Sequence, residues 1–590
     1  MVVPTRPGMT VAEAAAELGR RPDEALEIWS GSTLEGPARL QLAGTQPVGP
    51  LVFLLPLLRR FRLRQVVDQL CPSPSAISHG QVVEALIANR LTDPEPLYRV
   101  VEWARTYDSQ HWWGIAPEQL NDDRLAETLD AIAPHIEGLQ AKVAAQIVRQ
   151  CGVSLERIFY DLTSLLFYTQ ADTPERDQNG QPSLVRLVRG HSHEHRPELR
   201  QIVCGVSVTA DGLLPLLGES HDGNQAETPT VLPHLKKLQQ ELMALFGVEK
   251  LFVLGDSKLV SVETAQGMKQ AGIDFLAPST RSGHWEKRLR AAVRARRRGQ
   301  WQPLSYQSVR AQLQAQVKQP RQPHSVTSFE GYESPMVLSN GRETIQLREI
   351  FIYDSALAEQ QRALRQHHLE RVKELIEQLR PRLGKWSYTS RAAIERKIEQ
   401  LLVRHPSVRE FLSIVVRERQ GRFELVVRER TGRLREAAEQ DGISSLLTAA
   451  SPERLTLEEA LRADREQTCI ERRMAEVKGP LRVRPVFVRT PARIVALVGL
   501  TMIALLLWAT VERQCRRGQE QEQGPTLTPI TAKQIWRRFK HLGAQRVRVW
   551  RQGEVSRWVA LDPLTPAQAE VLRWLGITAA EIRARVQDSS

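Results

Sequence analysis

The chain has 590 residues, of which 42% are hydrophobic and 25% are charged, a globular composition that excludes a wholly disordered or fibrous protein. A single hydrophobic core stops growing at about 250 to 300 residues, so we expect roughly three to five domains. Lysine and arginine number 81 against 68 acidic residues, and the net charge of +13 favours a polyanionic partner, either nucleic acid or an acidic membrane surface.

The cysteines are few and scattered, and they form no C-x-x-C pair. This spacing argues against a disulfide framework and against a thiolate zinc site, and it fits a reducing compartment. The first residues lack the apolar run of a secretory signal, so we expect a cytoplasmic protein. The five positions are Cys71, Cys151, Cys204, Cys469 and Cys515.

Residues 1–50 are predicted to contain a short helical segment and a linker. Thr10 to Glu13 has the pattern of a capping box, and Gly19 and Pro22 break the alanine-rich run that follows. The resulting hairpin at residues 9–30 could be a DNA-binding helix-turn-helix, but a plain packing element is favoured because two short helices are a common combination. We expect a Gly/Pro-containing linker at residues 31–50, followed by an all-helical domain at residues 51–150 with periodic apolar positions.

A strand-rich pattern begins after Cys151 and continues to about residue 280. It predicts strands in RIFYDLTSL, ending near Asp161, in RQIVCGVSVTA and in GLLPLLGES, a helix at 228–246, and a buried strand LFVLGD that ends at Asp256. A helix at 260–271 and the strand DFLAPS complete the order β-β-β-α-β-α-β. This order predicts an α/β fold with a mixed sheet whose parallel crossovers are covered by helices.

The pattern from 281 to 456 differs from that of the sheet. It contains a basic stretch, charged helices and a hairpin in FLSIVVRERQGRFELVVRER that turns at Gln420 and Gly421, so we interpret it as an α+β insertion domain. Helices resume in the segment 457–515. A basic tail domain at 516–590 ends in two capped helices that begin at Thr565 and Thr578.

The segment 494–511, IVALVGLTMIALLLWATV, has the length and apolarity of a membrane span. Basic residues flank it on both sides and no second span follows it. We therefore predict a helix buried on all sides in a large core, and a membrane-anchored protein is the alternative.

Two aspartates end buried strands in this pattern, and functional groups collect at the carboxyl ends of strands in sheets with parallel crossovers. Asp161 and Asp256 close together would need a cation, and Mg²⁺ prefers oxygen ligands. Glu471 on a helix in IERRMAEVKGPLRVRPVF offers a third carboxylate. Lys478 follows it by seven residues, which places the two side chains about 20° and about 10.5 Å apart on one helix face.

The segments FYDLTSLLF, GHSHEHRPELRQIVCGVSVTADGLLPLLGESHDGNQAET, FVLGDS and IERRMAEVKGPLRVRPV together resemble the DDE-class transposases of bacterial insertion sequences. The resemblance is to the branch with an insertion domain before the catalytic glutamate and a Glu-x6-Lys signature. It extends more loosely to GQVVEALIANRLTDPEPLYRVVEW and to the tail, and so covers most of the chain.

The resemblance implies a ribonuclease H-like fold, with residues 151–280 and 457–515 as the two parts of one catalytic core. Asp161, Asp256 and Glu471 would be the catalytic residues and the ligands of two Mg²⁺ (or Mn²⁺) ions. The implied reaction is metal-dependent cleavage of transposon DNA ends followed by strand transfer into target DNA.

The implied partners are the terminal inverted repeats and the target DNA, bound by a homodimer in the active complex and without a membrane. We expect the helical domain 51–150 to contact the DNA ends, and the enzyme to work at the bacterial nucleoid. The cations expected to bind DNA are Lys478, Arg472, Arg482, Arg484, Arg294, Arg296, Arg297 and Arg298.

This chain departs from the family's usual pattern upstream of the glutamate. Asp464 and Gln467 stand where a Tyr and an Arg are usual, and Ser257 and Lys258 replace the more usual Arg-Gly after Asp256. A transposase-derived DNA-binding protein that has lost catalysis therefore stays an alternative, as does a nuclease without strand transfer. The alternating His191, His193 and His195 could form a zinc site, although phosphate or structural contacts are the favoured interpretation.

Overall fold

The computed structural model describes residues 2–4, 38–167, 172–176, 180, 182–190, 196–280, 284–306, 327–478, 490–526, 528–551, 554–578 and 580–582. Within these ranges the backbone alone is described at 2–4, 38–43, 227, 468–469, 471–472, 474, 477–478, 546–551 and 554–560. The helical hairpin predicted at residues 9–30 lies outside the described residues. The chain divides into two compact units, the first formed by Met1–Ile273 with Glu466–Ser590 and the second by Asp274–Arg465.

The helices and strands are numbered in chain order. The α-helices are α1 (Leu51–Arg60), α2 (Leu63–Leu70), α3 (His79–Thr92), α4 (Val100–Thr106), α5 (Ser109–Trp113), α6 (Asp122–Ile132), α7 (Ile136–Cys151), α8 (Glu227–Phe246), α9 (Val262–Gln270), α10 (Trp285–Arg297), α11 (Ser355–Leu379), α12 (Arg391–Arg404), α13 (Thr431–Gln440), α14 (Leu457–Lys478), α15 (Pro491–Gln523), α16 (Ala532–Phe539) and α17 (Pro566–Trp574). The strands are β1 (Val2–Pro4), β2 (Ala38–Pro47), β3 (Ile158–Phe167), β4 (Arg200–Thr209), β5 (Pro215–His221), β6 (Leu251–Leu254), β7 (Ile273–Pro278), β8 (Gln302–Leu304), β9 (Phe329–Ser339), β10 (Thr344–Asp354), β11 (Leu412–Arg419), β12 (Arg422–Glu429), β13 (Ile443–Thr448), β14 (Gly543–Arg551) and β15 (Glu554–Leu561).

The strands of the first unit form a mixed sheet in the order β5-β4-β3-β6. β3 and β4 are antiparallel, as are β4 and β5, whereas β3 and β6 are parallel. The turn predicted between β4 and β5 is present and contains Gly212 at φ +86°, a left-handed conformation that glycine adopts without strain. The element order predicted for residues 158–278 is therefore confirmed, and the protein is a mixed α/β protein.

Helices pack on both faces of this sheet. Tyr160 of β3 pairs with Ser207 of β4, and this face packs against α8, where the Tyr160 ring lies 4.9 Å from that of His234. Successive side chains alternate between faces, so Asp161 belongs to the opposite face together with its partner Val206. On that side α7 and α15 pack against β5.

Helix α15 contains the apolar segment that resembles a membrane span. By length and composition it could cross a membrane, but 94% of its apolar window is buried inside the protein. It packs against α3, α6, α7 and β5. Gly499 permits the closest of these approaches, because an added Cβ there would lie 2.1 Å from Ile136 Cγ1. The prediction of a buried core helix at 494–511 is confirmed.

The prediction of a linker at residues 31–50 is wrong for residues 38–47. Residues 38–47 form β2, which pairs with β14 from the other end of the chain in a sheet ordered β1-β2-β14-β15. The hairpin of β14 and β15 was also not predicted. The glycines and prolines of 31–50 indicate a loop locally, but long-range pairing with β14 makes the segment a strand.

The second unit contains an antiparallel sheet in the order β7-β13-β10-β9-β8. The two-stranded hairpin of β11 and β12 turns at Gln420 and Gly421, both with positive φ, as predicted. It shares a hydrophobic core with α11 and α12. This hairpin and the two charged helices were predicted from the sequence, whereas the longer pairing of β9 with β10 was not.

Candidate active site

Asp161 and Asp256 lie at the same level of two neighbouring parallel strands. Phe159 of β3 is opposite Leu254 of β6, and each aspartate follows two residues later. A Cβ added to Gly255 would lie 3.3 Å from the carbonyl oxygen of Tyr160, so the two backbones are still side by side at the residue before each aspartate. Each aspartate thus follows the last paired residue of its strand by two positions, Asp161 within β3 and Asp256 just beyond the end of β6.

The prediction that β3 ends near Asp161 is wrong, because β3 runs on to Phe167. Pairing with β4 continues along the whole of β3, whereas the pairing with β6 covers only Ile158 and Phe159. Asp161 therefore lies beyond the last residue of β3 that pairs with β6, although β3 itself continues. The sequence indicated where β6 ends, but it contains no signal that pairing with β4 carries β3 past that point.

Each carboxylate is oriented by a local backbone hydrogen bond. Asp161 Oδ1 accepts from the N–H of Leu162 at 2.8 Å. Asp256 caps the short 3-10 helix Ser257–Leu259, and its Oδ1 accepts from the N–H of Lys258 at 3.0 Å. Asp161 is half-buried and Asp256 is exposed, so the pair combines a fixed carboxylate with an accessible one. Two carboxylates in this arrangement are a donor set that suits Mg²⁺ or Mn²⁺.

Helix α14 carries Glu471 and belongs to the first unit from Glu466 onward. The backbone of Glu471 is helical as predicted, but its side chain and those of Arg472 and Lys478 lie outside the described residues, as do Arg482 and Arg484 entirely. The separation of Glu471 from the two aspartates therefore stays a prediction.

Two contacts fix α14 on either side of Glu471. Glu466 forms an ion pair of 3.0 Å with Arg157, the residue before β3. Arg473 is buried at 1% exposure and donates to Glu512 Oε2 of α15 at 2.7 Å and to the carbonyl of Gly212 at 3.2 Å. Glu471 thus lies on a helix that is attached to β3, to the β4–β5 turn and to α15.

Arg473 is a residue that the sequence analysis did not single out. It also pairs with Glu476 at 2.5 Å, and Glu512 accepts a second hydrogen bond from Arg516 at 2.6 Å. A buried charge is tolerated only when it is paired in this way. The sequence shows only that an arginine stands two residues after Glu471. An arginine at such a position indicates DNA contact as readily as burial.

The residues that depart from the family's pattern lie one and two turns before Glu471 on α14. Burial raises the pKa of Asp464 above its usual range, although the charge of Arg465 opposes this. Gln467 is half-buried. Neither residue offers the aromatic ring or the guanidinium that the resemblance leads one to expect.

A buried polar cluster supports the sheet on the face opposite to Asp161. Ser207 Oγ lies 2.7 Å from His234 Nε2, and His234 Nδ1 lies 3.1 Å from Glu219 Oε2. Burial acts to raise the pKa of Glu219, but the hydrogen bond and charge of His234 outweigh it and hold the pKa below its usual value. Ser207 and His234 are fully buried. The cluster therefore joins α8 to β4 and β5, with Ser207 and His234 shielded from solvent and Glu219 partly exposed.

The four arginines at the end of α10 and directly after it, which were expected to bind DNA, fall into two groups. Arg296 donates to both carboxylate oxygens of Glu330 at 2.8 Å and stacks 3.4 Å over the Tyr353 ring, and Arg297 pairs with Glu439. Arg294 and Arg298 are exposed and have no carboxylate partner among the described side chains. Arg294 and Arg298 are therefore the better placed of the four to bind phosphate.

The three alternating histidines, His191, His193 and His195, lie outside the described residues. Over the part of the chain whose side chains are described, no group of three His, Cys, Asp or Glu residues could hold a metal ion. The Glu471 side chain is not among those described.

Comparison with known proteins finds one matching family, a domain of unknown function (DUF4277), over residues 50–144. No curated protein matches. The solved structures that overlap with this chain include a piggyBac transposase synaptic complex with hairpin DNA, at 8% identity and a TM-score of 0.34, covering 84% of this chain and 82% of that one. They also include a Mos1 transposase paired-end complex with the left transposon end, at 10% identity and a TM-score of 0.15, covering 34% and 59%.

Proposed function

We propose that this protein is a DDE-class transposase with a ribonuclease H-like core, which cleaves the ends of its own DNA element and joins them to a target. The observation that carries the proposal is the position of Asp161 and Asp256 at the same level of adjacent parallel strands. The attachment of α14, with Glu471, to the start of β3 supports it. The motifs around these three residues are those that resemble the insertion-sequence enzymes.

The three carboxylates would hold two Mg²⁺ or Mn²⁺ ions, since their donor atoms are the oxygens that these cations prefer. When bound, the ions would supply charge neutralisation at the scissile phosphate and a more acidic nucleophile. The backbone hydrogen bonds at Asp161 and Asp256 hold the carboxylates in place before substrate arrives, which reduces the reorganisation that binding requires. Lys478 and the neighbouring arginines would hold DNA phosphates.

A catalytically impaired DNA-binding protein is the second candidate, and Asp464 and Gln467 are the observation that favours it. The half-buried Asp464, with its raised pKa, offers no aromatic ring, and the neutral amide of Gln467 cannot hold a phosphate as an arginine does. The two candidates agree on DNA binding and differ on cleavage.

The test is cleavage of labelled duplexes that carry the DNA flanking the gene, in Mg²⁺ and after its removal with EDTA. We expect Mg²⁺-dependent nicking and joining to an unlabelled target, both abolished in Asp161→Asn and in Asp256→Asn. Asp123→Asn, which changes an exposed aspartate in the first turn of α6, is the matched control and should cut normally.

Binding without cleavage by the parental protein would support the impaired candidate, and nicking without joining would support a nuclease. Nicking by Asp161→Asn at the parental rate would show that the site is elsewhere. Inverted repeats beside the gene, bracketed by short direct duplications, would independently support a transposase.

A further inference from the structure

The sheet formed by β1, β2, β14 and β15 differs in composition between its two faces. Successive residues of a strand alternate between the faces, so the register of the strands assigns each residue to one of them. Arg548 of β14 lies opposite Gln41 of β2 and Arg557 of β15, and these three positions therefore share one face. Arg546 and Arg39 belong to the same face, which we call the arginine face.

The other face of the same sheet is mostly apolar. The register assigns to it Leu40, Leu42, Val547, Val549 and Trp558. Glu554 is the only acid in the sequences of the four strands, and it lies on this apolar face, opposite Arg551. The arginine face therefore has no carboxylate of its own to balance its four positive charges.

Arg548 and Arg557 are like charges placed directly opposite each other. The Cβ atoms of two residues at such positions are only about 4.5–5.5 Å apart, and like charges there destabilise the strand pairing. Arg546 follows on the same face of β14, about 6.8 Å further along the strand. The sheet thus concentrates positive charge where its own strands supply no counter-charge, and a polyanion bound at this face would relieve the repulsion.

Gly44 leaves open space next to the row of Arg546. It lies opposite Arg546, at the point where the register of β2 and β14 shifts. Gly44 and Thr45 are exposed, and a Cβ added to Gly44 would meet no atom within 4 Å. Ala544, one row earlier on the same face, is buried, so the sheet leaves the packed part of the first unit between these two rows. A glycine inside a strand marks a bulge or a place that a ligand approaches closely.

From this register we infer that the arginine face of the sheet built from both ends of the chain binds the phosphate backbone of duplex DNA. A duplex carries one negative charge about every 1.7 Å of its axis, so it offers several phosphates to a cluster of cations this dense. The apolar face has no comparable attraction for DNA. The inference takes DNA as partner from the proposed function, but it concerns a different surface and a binding step that needs neither metal nor cleavage.

The experiment measures the affinity of the full-length protein for a mixed-sequence duplex at several salt concentrations. Arg548→Ala and Arg557→Ala each remove one cation from the arginine face. In each variant the slope of the logarithm of affinity against the logarithm of salt concentration should become less steep by about 0.9, the contribution of one phosphate contact. The double variant should lose about 1.8 of the slope, because the two contacts release counterions independently.

Two variants serve as matched controls. Arg551→Ala removes an arginine from the same hairpin but from the other face, opposite Glu554, and should keep the parental slope. Arg548→Lys keeps the charge and should also keep the slope. Without DNA, Arg548→Ala removes a like-charge repulsion and should unfold at or slightly above the parental temperature, so weaker binding would not reflect a lost fold.

Parental slopes in Arg548→Ala and Arg557→Ala would overturn the inference and leave the arginine face to an acidic protein or membrane. An equal loss of slope in Arg551→Ala would also overturn it, because the face would then be irrelevant. Asp161→Asn should bind this duplex with the parental slope. A failure of the proposed chemistry and a failure of this surface can therefore be told apart.

Discussion

Asp161 and Asp256 are held in place by different local structures. Asp161 is an interior strand residue whose orientation is set by pairing with Val206, whereas Asp256 is a cap that starts a 3-10 turn after a four-residue strand. Gly255 makes their proximity possible, since a side chain there would press on Leu259 and on the carbonyl of Tyr160. A side chain at position 255 would therefore have to displace Leu259 or the Tyr160 backbone slightly.

Glu471→Gln and Lys478→Ala are expected to separate chemistry from DNA binding. The first keeps the shape of the side chain but removes a metal-binding charge, so cleavage should be lost while binding of the DNA ends stays nearly parental. The second removes a cation, so binding should weaken and the salt slope should fall by about 0.9. Gel-shift titrations at several salt concentrations and a nicking assay measure both. Parental nicking by Glu471→Gln would remove it from the triad.

Asp211 provides a test of pH dependence. Burial acts to raise its pKa, but hydrogen bonds from Arg513 and from the N–H of Ser154 outweigh it and hold the pKa below its usual value. A depressed pKa contributes stability above the unfolded value of about 3.9, and this stability is lost as the pH falls through the folded pKa. Asp211→Asn should therefore cost about 2 kcal/mol of unfolding free energy at pH 7.

The difference between parent and Asp211→Asn should begin to shrink below about pH 4 and should vanish only below the depressed folded pKa, where the parent also lacks the charge. Thermal unfolding at pH 7 and at acid pH measures it. The control is Asp130→Asn, which breaks the exposed pair with Arg493 and should cost less than about 1 kcal/mol. A difference that persists at acid pH would show that the Asp211 charge is not the cause.

At the scale of elements, the position of α14 depends on its attachment to α15. The pair of Arg473 and Glu512 is buried at 1% and 3% side-chain exposure, so the two helices are joined through a contact shielded from water. Arg513, one residue further along α15, reaches the β4–β5 turn at Asp211 and the carbonyls of Cys151 and Gly152. Helix α15 is thus both the hydrophobic centre of the first unit and the support for the helix that carries Glu471.

The Arg473–Glu512 pair is expected to position Glu471 as well as to stabilise the fold. Glu512→Leu alone leaves a buried guanidinium without its main partner and should cost about 3–5 kcal/mol. The double variant Arg473→Met with Glu512→Leu fills the same volume without charge and should unfold near the parental temperature. If the pair sets the orientation of α14, the double variant should still nick about 10- to 100-fold more slowly than the parent.

Nicking rates, unfolding temperatures and DNA affinity measured on both variants distinguish the two roles. A stable double variant that nicks at the parental rate would show that the pair serves the fold alone. Arg473→Lys keeps the positive charge on a shorter side chain. This variant should nick faster than the double variant but more slowly than the parent.

At the scale of the molecule, one apolar helix lies within a basic chain. The apolar window of α15 is 94% buried among the helices and the sheet of the first unit, so its apolarity is accounted for by packing. We expect the protein to be released from membranes by alkaline carbonate, since a helix enclosed by its own fold has no face for lipid. Retention in the membrane pellet would contradict this and would restore the membrane-anchored alternative.

The sequence by itself determined most of what is local. Period and turn signals predicted β3 to β7, α8, α9, α15 and the β11–β12 hairpin, because hydrophobic alternation, capping boxes and glycine turns act over a few residues. The motifs around Asp161, Asp256 and Glu471 also predicted the candidate site, through their resemblance to the insertion-sequence enzymes.

What only the tertiary structure decided is which distant segments meet. Residues 38–47 become a strand because β14 pairs with them, and Asp161 lies inside a strand because pairing with β4 carries β3 on to Phe167. Arg473 and the cluster of Ser207, His234 and Glu219 bring together residues from separate segments. Strand pairing, burial and exposure depend on contacts between distant segments. A short stretch of sequence therefore cannot predict them.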